Sequence, residues 1–156
     1  MVTVENDLAA EYRAHAADLV AYATVLVGPH DAYDVMADVV AATLARGSLA
    51  GVDDVRAYWF RAVGNTAAGR HRSSARRRAR ETRGGARPAT TTDDSGDDAR
   101  ALLAALSVQQ RAVVYLTYWH DWPPDRIAEA LGVSDGTVRK QLARGRAHLK
   151  EVLGDD

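Results

Sequence analysis

The sequence predicts an all-α protein made of two small helical domains joined by a flexible acidic linker, with a helix-turn-helix in the second domain. Of its 156 residues 30 are Ala and one is Ile, so helix formers far outnumber the residues that strands prefer. Apolar residues recur at steps of three and four, the spacing of one helix face. Residues 82–98 hold no large apolar side chain and cannot build a core. We therefore expect a first domain over 1–81, a linker over 82–98 and a second domain over 99–156.

Two helices are predicted before residue 47. The first has one stripe of side chains at alternating steps of four and three, formed by Leu8, Tyr12, His15, Leu19, Tyr22 and Leu26. Gly28 and Pro29 end it. The second is expected from near Asp31 to about Gly47, with a packed face formed by Val35, Met36, Val39, Val40, Thr43 and Leu44. A different face of this second helix carries three carboxylates: Asp31, Asp34 and Asp38.

A third helix is predicted after the loop 47–54, with Asp53 or Asp54 as its N-cap. Its packed face consists of Val55, Tyr58, Trp59, Ala62, Val63 and Thr66. We assign Trp59 to the core, because an aromatic residue at helical spacing is more often packed than functional. The helix then runs into a basic stretch over 70–78, which favours contact with nucleic acid, although a disordered basic tail would have the same composition.

The C-terminal part is predicted to hold three short helices. The first covers about 99–106. The second opens with Ser107 and Gln110, a capping-box pattern, and ends before Trp122. Pro123 and Pro124 then suit the first turn of the next helix.

Residues 127–138 have the pattern of a helix-turn-helix. Ala128 is small enough for a helix crossing, Gly132 can adopt positive φ in the turn, and Val138 docks the second helix. Ser134 is the expected N-cap, and the inner stripe is Val138, Leu142, Gly145, Leu149 and Val152. The outward side chains are Asp135, Thr137, Arg139, Lys140, Gln141, Arg144 and Arg146. A docked helix with polar and cationic side chains outward is what reading of the DNA major groove requires.

The near-neutral net charge of -1 is a cancellation between blocks of opposite sign. Residues 1–69 carry a charge of -5 and residues 70–88 carry +7. Residues 89–98 carry -4, and the remainder carries +1. The order of the charges therefore indicates a nucleic-acid partner that the total conceals.

Several classes of protein and of site are excluded or disfavoured. The absence of Cys excludes disulfides, a Cys-ligated zinc site and a thiol nucleophile. The five His are scattered, so we expect no metal site, and no set of nucleophile, base and orienting group can be assembled. We therefore expect no enzymatic activity and no cofactor. The start of the chain is acidic and its longest uncharged run, 19–30, is short, which predicts a cytoplasmic protein without membrane insertion.

Two sets of motifs resemble those of a known family. The segments 134–139 and 142–146, preceded by Arg111 and the helix of Tyr118, resemble promoter domain four of bacterial sigma factors. The segments 31–35 and 57–65 resemble domain two of the same proteins. The extracytoplasmic-function (ECF) sigma factors have this layout, with two such domains joined by a short linker. The resemblance implies a protein that binds core RNA polymerase and directs promoter recognition and opening.

The resemblance also implies partners and site residues. The β′ clamp helices of polymerase would contact Asp31, Asp34 and Asp38, the β flap would contact the second domain, and an anti-sigma factor would hold the protein inactive. The loop 47–54 would hold a base flipped from the minus-ten element, whose other contacts would be Arg61, Asn65, Arg70 and Arg72. The minus-thirty-five element would be bound by Thr137, Arg139, Lys140, Gln141, Arg144 and Arg146. The acidic linker would thread the RNA-exit path.

The chain departs from the family pattern at several positions, and other interpretations stay open. Tyr33, Ala37, Gly64, Ser107, Arg126 and Gly145 stand where the family usually has Glu, Gln, Arg, Pro, Glu and Ala. Without the resemblance, the residues alone favour an ordinary solvated surface for the acidic face of the second helix. A stand-alone helix-turn-helix regulator would explain residues 99–156 alone. A sigma-like protein that titrates an anti-sigma factor would need the partner-binding faces without the promoter contacts.

Overall fold

A computed structural model describes residues 4–83 and 102–154. Within these ranges the chain forms six helices longer than one turn and no strand, so the all-α prediction is confirmed. The helices are α1 (Val4–Val27), α2 (Pro29–Arg46), α3 (Val55–Arg83), α4 (Val108–Tyr118), α5 (Pro124–Leu131) and α6 (Asp135–Leu153). Of the short helix expected over 99–106, residues 102–104 are helical. The expected linker lies, from residue 84 onward, outside the described residues.

The predicted helix ends are confirmed by their capping hydrogen bonds. The backbone N–H of Gln110 donates to Ser107 Oγ at 3.1 Å, and the Ser107 N–H donates to Gln110 Oε1 at 3.2 Å. At the start of α3 the N–H of Ala57 donates to Asp54 Oδ1 at 3.0 Å, so Asp54 is the cap. Such a side-chain cap stabilises a helix by about 1 kcal/mol because it satisfies an otherwise unpaired N–H group.

Helices α1, α2 and α3 pack around one set of fully buried side chains. Tyr22 of α1 and Phe60 of α3 lie with ring centroids 5.0 Å apart, and Trp59 is buried beside them, as predicted. The expectation that Leu44 is buried is wrong, because 53% of it is exposed. Leu44 lines an open groove with Leu8 and is not part of the core.

Helices α4, α5 and α6 form the second packed unit. Ile127 and Val138 are fully buried between them, as the helix-turn-helix pattern predicted. A Cβ placed on Gly145 of α6 would lie 2.9 Å from Val114 Cγ2 of α4, so this glycine permits the close approach of the two helices. The expected inner position of Val152 is wrong, because 51% of it is exposed. With 19 residues, α6 is longer than the 11-residue α4 against which it packs, and its last turn projects beyond that helix.

The two halves of the chain share a single hydrophobic core. Phe60 of α3 packs on Trp122 at a centroid distance of 5.0 Å, and Tyr22 of α1 stacks on Tyr115 of α4 at 5.9 Å. Arg111 Nη1 of α4 donates to the Leu26 carbonyl at the end of α1, at 2.6 Å. The halves expected as separate domains are therefore packed against each other in this structure.

Candidate nucleic-acid interface

The outward face of α6 is an exposed cationic surface. Ser134 caps the helix by accepting a hydrogen bond from the Thr137 N–H at 3.1 Å, and Val138 anchors the helix from below. With the inner side fixed in this way, four of the predicted contact residues are exposed to solvent: Arg139, Lys140, Arg144 and Arg146. A rigid helix that presents cationic side chains to solvent suits both base edges and phosphates.

Gln141 has a different environment from its cationic neighbours. Its Nε2 donates to Gln109 Oε1 at 2.9 Å, and its Oε1 accepts from Gln110 Nε2 at 3.2 Å. Both ends of the amide are therefore bound to α4. In this structure Gln141 joins α6, the outer helix of the helix-turn-helix, to α4. Reading a base with Gln141 would require these hydrogen bonds to break.

Arg146 is held by an aromatic residue of α4. Its Nε donates to the Tyr118 hydroxyl, and its guanidinium lies over the Tyr118 ring at 5.4 Å from the centroid. A cation over an aromatic face gains about 0.5–1 kcal/mol at an exposed site. Tyr118 therefore restrains the Arg146 side chain on the surface of α6, which suits contact with a phosphate of the DNA backbone.

Three of the four residues expected at the minus-ten element lie exposed along α3. Arg61, Asn65 and Arg72 follow at steps of four and seven, the spacing of one helix face. The basic stretch over 70–78 is part of the same helix, because α3 continues to Arg83. The predicted basic extension is thus a helical one.

The fourth of these residues, Arg70, is paired with the acidic face of α2. Its Nη2 and Nε lie 2.7 and 2.9 Å from Asp38 Oδ2, and its Nη1 lies 3.9 Å from Asp34 Oδ2. The residues are mostly exposed, and such ion pairs contribute about 0–1 kcal/mol. A residue expected to hold DNA therefore neutralises two residues expected to hold polymerase, through a weak contact that either partner can displace.

An open groove of about 960 Å³ runs between α2, the extension of α3 and α4. Asp31, Asp34, Arg70 and Arg77 line it together with Arg111. The groove is thus lined by carboxylates of α2 and by guanidinium groups of α3 and α4. The acidic polymerase face expected on α2 and the basic face of α3 are adjacent walls of one surface.

The contact between the turn of the helix-turn-helix and α3 was not predicted from the sequence. A Cβ on Gly132 would lie 3.1 Å from Arg61 Nη2, and a Cβ on Gly64 would lie 3.7 Å from Leu131 Cδ2. Arg126 of α5 also approaches Asp54, the cap of α3, at 3.7 Å. A signal for this contact was present only as residues that depart from the family pattern, Gly64 and Arg126.

A polar network around Arg56 also links the halves. Arg56 Nη2 lies 2.9 Å from Asp18 Oδ2 and 3.3 Å from His120 Nδ1. The hydrogen bond from Arg56 lowers the pKa of Asp18. Burial lowers the pKa of His120, and the nearby positive charge of Arg56 lowers it further. His120 is therefore a neutral acceptor for a cation on the opposite half at neutral pH.

The described residues contain no group of three or more His, Asp or Glu side chains arranged to hold a metal ion. Over the same ranges, no helix combines the length and the hydropathy that crossing a bilayer requires.

Comparison with known proteins identifies the C-terminal half by sequence. Residues 97–149, which include all of α4 and α5 and most of α6, match the family model described as "Sigma-70, region 4". Over 52 residues the chain is 42% identical to the RNA polymerase sigma-E factors of Streptomyces avermitilis and Streptomyces coelicolor, covering 33% of this chain and 29% of each relative. The sigma-E factor of Streptomyces antibioticus is 43% identical over 58 residues, 35% of this chain and 32% of that protein. The chain thus matches less than a third of the length of these relatives.

The fold of the whole chain is similar to that of a solved sigma factor. The sigma factor RpoE of Bartonella quintana, crystallised in complex with the anti-sigma factor NepR, matches over 94% of this chain and 96% of that one. The TM-score is 0.71 and the sequence identity is 23%, so this likeness concerns the fold. Residues 97–149 of the chain therefore match the sigma-70 region 4 family, and the chain as a whole is similar in fold to this solved sigma factor.

Proposed function

We propose that this protein is a sigma factor that binds core RNA polymerase and directs promoter recognition and opening at the start of transcription. The observation that carries the proposal is that the sigma-70 region 4 match coincides with the helix-turn-helix, whose outer helix exposes Arg139, Lys140 and Arg144. The fold similarity over 94% of the chain extends the argument to the first half.

In this proposal α6 binds the minus-thirty-five element. Arg139 lies in the first half of the helix, where side chains of a recognition helix meet base edges. Arg144 and Arg146 lie one turn or more further along, where cations meet phosphates. Thr137, Lys140 and Gln141 complete the expected surface, with Gln141 acting mainly through its bonds to α4.

The exposed face of α3 binds the minus-ten element. Extruding a base from the duplex costs a few kcal/mol, which a pocket and contacts to the strand backbone can offset. Arg61, Asn65 and Arg72 supply exposed groups for those contacts, and the loop 47–54 is the proposed pocket. Arg70 joins them once it leaves Asp38. The chain itself carries out no phosphoryl chemistry, which polymerase supplies.

The acidic face of α2 binds the β′ clamp helices of polymerase, and the second domain binds the β flap. Asp34 and Asp38 are exposed, and the displaceable Arg70 is paired with both of them. The protein acts in the cytoplasm, where polymerase is. Because the structurally similar RpoE was crystallised in complex with an anti-sigma factor, we include such a factor among the partners.

The experiment that tests the proposal combines a pull-down with core polymerase and a promoter-opening assay. The chain should bind core enzyme, and the triple variant Asp31→Asn, Asp34→Asn, Asp38→Asn should lose most of that binding. A matched control, Glu11→Gln, Asp121→Asn, Glu129→Gln, removes three exposed carboxylates elsewhere and should bind normally.

The two alternatives predict different results in the same assay. A stand-alone regulator should protect duplex DNA without polymerase and should not bind core enzyme. A protein that only titrates an anti-sigma factor should bind that factor without opening promoter DNA. Failure to bind core enzyme would rule out the proposed function.

A further inference from the structure

The loop 47–54, which is the proposed pocket for the extruded base, has few backbone hydrogen bonds to define its shape. One lies inside it, from the Val52 N–H to the Leu49 carbonyl at 3.1 Å. Gly47 and Gly51 have positive φ angles of 91° and 85°, which glycine adopts at little cost. The same freedom makes it entropically costly to fix these residues in one conformation. Side chains must therefore supply part of the restraint on the loop.

Arg46, the last residue of α2, provides such a restraint. Its Nε donates to the Ser48 carbonyl at 3.0 Å, so the end of the helix is tied to the start of the loop. The Ser48 hydroxyl in turn accepts a hydrogen bond from the Ala50 N–H at 3.0 Å. These two hydrogen bonds follow each other along the chain, and together they restrain the backbone from residue 46 to residue 50.

The Arg46 guanidinium is itself held by Tyr58 of α3. Its Cζ lies 5.2 Å from the centre of the Tyr58 ring. The Tyr58 hydroxyl lies 3.3 Å from Oγ1 of Thr43, which is one turn before Arg46 on α2. The ring therefore lies between the two helices that flank the loop. Arg46 packs on this ring while its Nε holds the loop.

Arginine suits both contacts at once, and lysine does not. A guanidinium is planar, so its face can pack on an aromatic ring while an N–H at its edge donates to a carbonyl. A lysine side chain keeps the positive charge but carries a methylene group where arginine has Nε. The exchange Arg46→Lys therefore keeps the charge and removes the hydrogen bond to the loop.

We propose that Arg46 is a positioning residue for the base pocket: by holding the loop 47–54 in one conformation, it determines how well the pocket selects the extruded base. This inference rests on the proposed sigma-factor function. A loop that already has its binding conformation loses less entropy when the base enters. Selection of an extruded base depends on hydrogen bonds at defined positions, so a displaced loop weakens it. Arg46 acts through the loop and does not need to contact the DNA.

Hydrogen exchange in the free protein tests the restraint itself. Arg46→Lys removes the bond to Ser48, and Arg13→Lys makes the same exchange of side chains at an exposed site on α1. By NMR, the N–H groups of Ala50 and Val52 should exchange faster in Arg46→Lys than in the wild type. In Arg13→Lys they should exchange at the wild-type rate. Unchanged exchange in Arg46→Lys would overturn the inference, because Arg46 would then not restrain the loop.

Promoter opening with core polymerase tests the consequence for base selection. A promoter that depends on the protein is varied one base at a time over the minus-ten element. Arg46→Lys should lose roughly tenfold in discrimination at one position, that of the extruded base, and keep the wild-type preference at the others. Binding to core polymerase and preference in the minus-thirty-five element should stay unchanged.

A second variant distinguishes positioning from a general loss of stability. Tyr58→Phe keeps the ring under Arg46 and removes the hydroxyl contact with Thr43. It should therefore be less stable than the wild type and yet keep the wild-type base preference. A merely structural role for Arg46 would make Arg46→Lys behave in the same way as Tyr58→Phe.

The results in the opening assay separate the inference from the proposed function. If the wild type opens promoters and Arg46→Lys keeps its preference at every minus-ten position, the inference alone is overturned. An even loss of preference across the whole element in Arg46→Lys would also overturn it, because the effect would not be confined to the pocket. If the wild type does not bind core polymerase, the proposed function fails, and the inference fails with it.

Discussion

The guanidinium of Arg61 lies over Gly132, so that Nη2 is 3.1 Å from the position of a Cβ on that glycine. Gly132 also has φ 67°, the left-handed conformation that closes α5. The Gly132→Ala variant should therefore be less stable by about 1–2 kcal/mol, mainly from the backbone, because the Arg61 side chain can move. Urea unfolding measures the change. Gly69→Ala, in open space within α3, should instead stabilise by about 0.5–1 kcal/mol, and equal effects at both sites would contradict this account.

Gly145 is required for the close packing of α6, the outer helix of the helix-turn-helix, on α4. A Cβ there would lie 2.9 Å from Val114 Cγ2, so Gly145→Ala should cost about 1–3 kcal/mol through overpacking. Adding Val114→Ala removes the clashing methyl group and should restore part of the loss. A double-mutant cycle in urea gives the coupling between the two sites. Additive effects of the two substitutions would show that the close approach of α4 and α6 is not what requires glycine.

Local signals in the sequence were sufficient for the helices and their ends. Ser107 as a cap and Gly132 as the glycine of positive φ were identified from residue type and spacing, and Asp54 was one of two candidate caps, because each depends on its immediate neighbours. The same local patterns placed Arg139, Lys140 and Arg144 on the outer face of α6.

Contacts between distant parts of the chain could not be predicted in the same way. Arg70 and Asp38 are 32 residues apart, and no periodicity relates them. The amide of Gln141 was expected to face DNA, and only the packing of α4 on α6 shows that Gln109 and Gln110 bind it. The shared core of the two halves was also missed, because each half already has an apolar pattern that a separate domain would show.

The hydroxyl groups of Tyr22 and Tyr58 should contribute differently to the stability of the fold. Tyr22 is fully buried, and no described residue gives its hydroxyl a hydrogen-bond partner, whereas the Tyr58 hydroxyl lies 3.3 Å from Thr43 Oγ1. Tyr22→Phe should be neutral or stabilise by about 1 kcal/mol, and Tyr58→Phe should cost about 0.5–1.5 kcal/mol. Thermal unfolding of the two variants measures the contrast. A larger loss for Tyr22→Phe than for Tyr58→Phe would show that the Tyr22 hydroxyl has a partner.

Stability should fall when the pH drops below about 6.5, the usual His pKa. The pKa of His120 is lowered in the folded protein by burial and by Arg56, so the unfolded chain takes up a proton at a higher pH than the folded one. The stabilising contribution of neutral His120 is therefore complete above that pH and is lost as the pH falls towards the lowered pKa of the folded protein.

His71, whose pKa burial also lowers, should add to this pH dependence in the same direction. His120→Asn keeps an acceptor for Arg56 without a titrating ring, so it should flatten the dependence measured by urea unfolding from pH 7.5 to 5. An unchanged slope in that variant would exclude His120 as its source.

The cations of α6 should differ in their effects on DNA binding. Arg139→Ala should relax base preference in the minus-thirty-five element at a cost of roughly 1–3 kcal/mol. Arg146→Ala should weaken binding evenly across sequences and lower the salt slope by about 1. Since Tyr118 holds Arg146, Tyr118→Phe should reproduce part of the Arg146 effect and none of the Arg139 effect. Binding titrations on a set of single-base variants at several salt concentrations distinguish the roles, and identical behaviour of Arg139→Ala and Arg146→Ala would refute them.

The central claim is that this chain gives RNA polymerase a promoter preference. The most direct measurement is transcription from a genomic library with core polymerase, with and without the protein, followed by sequencing of the RNA 5′ ends. We expect new start sites that appear only with the protein and that share two sequence elements, near positions -10 and -35. The Arg139→Ala variant should blur the second element and leave the first intact. A pattern of starts that is the same with and without the protein would contradict the account.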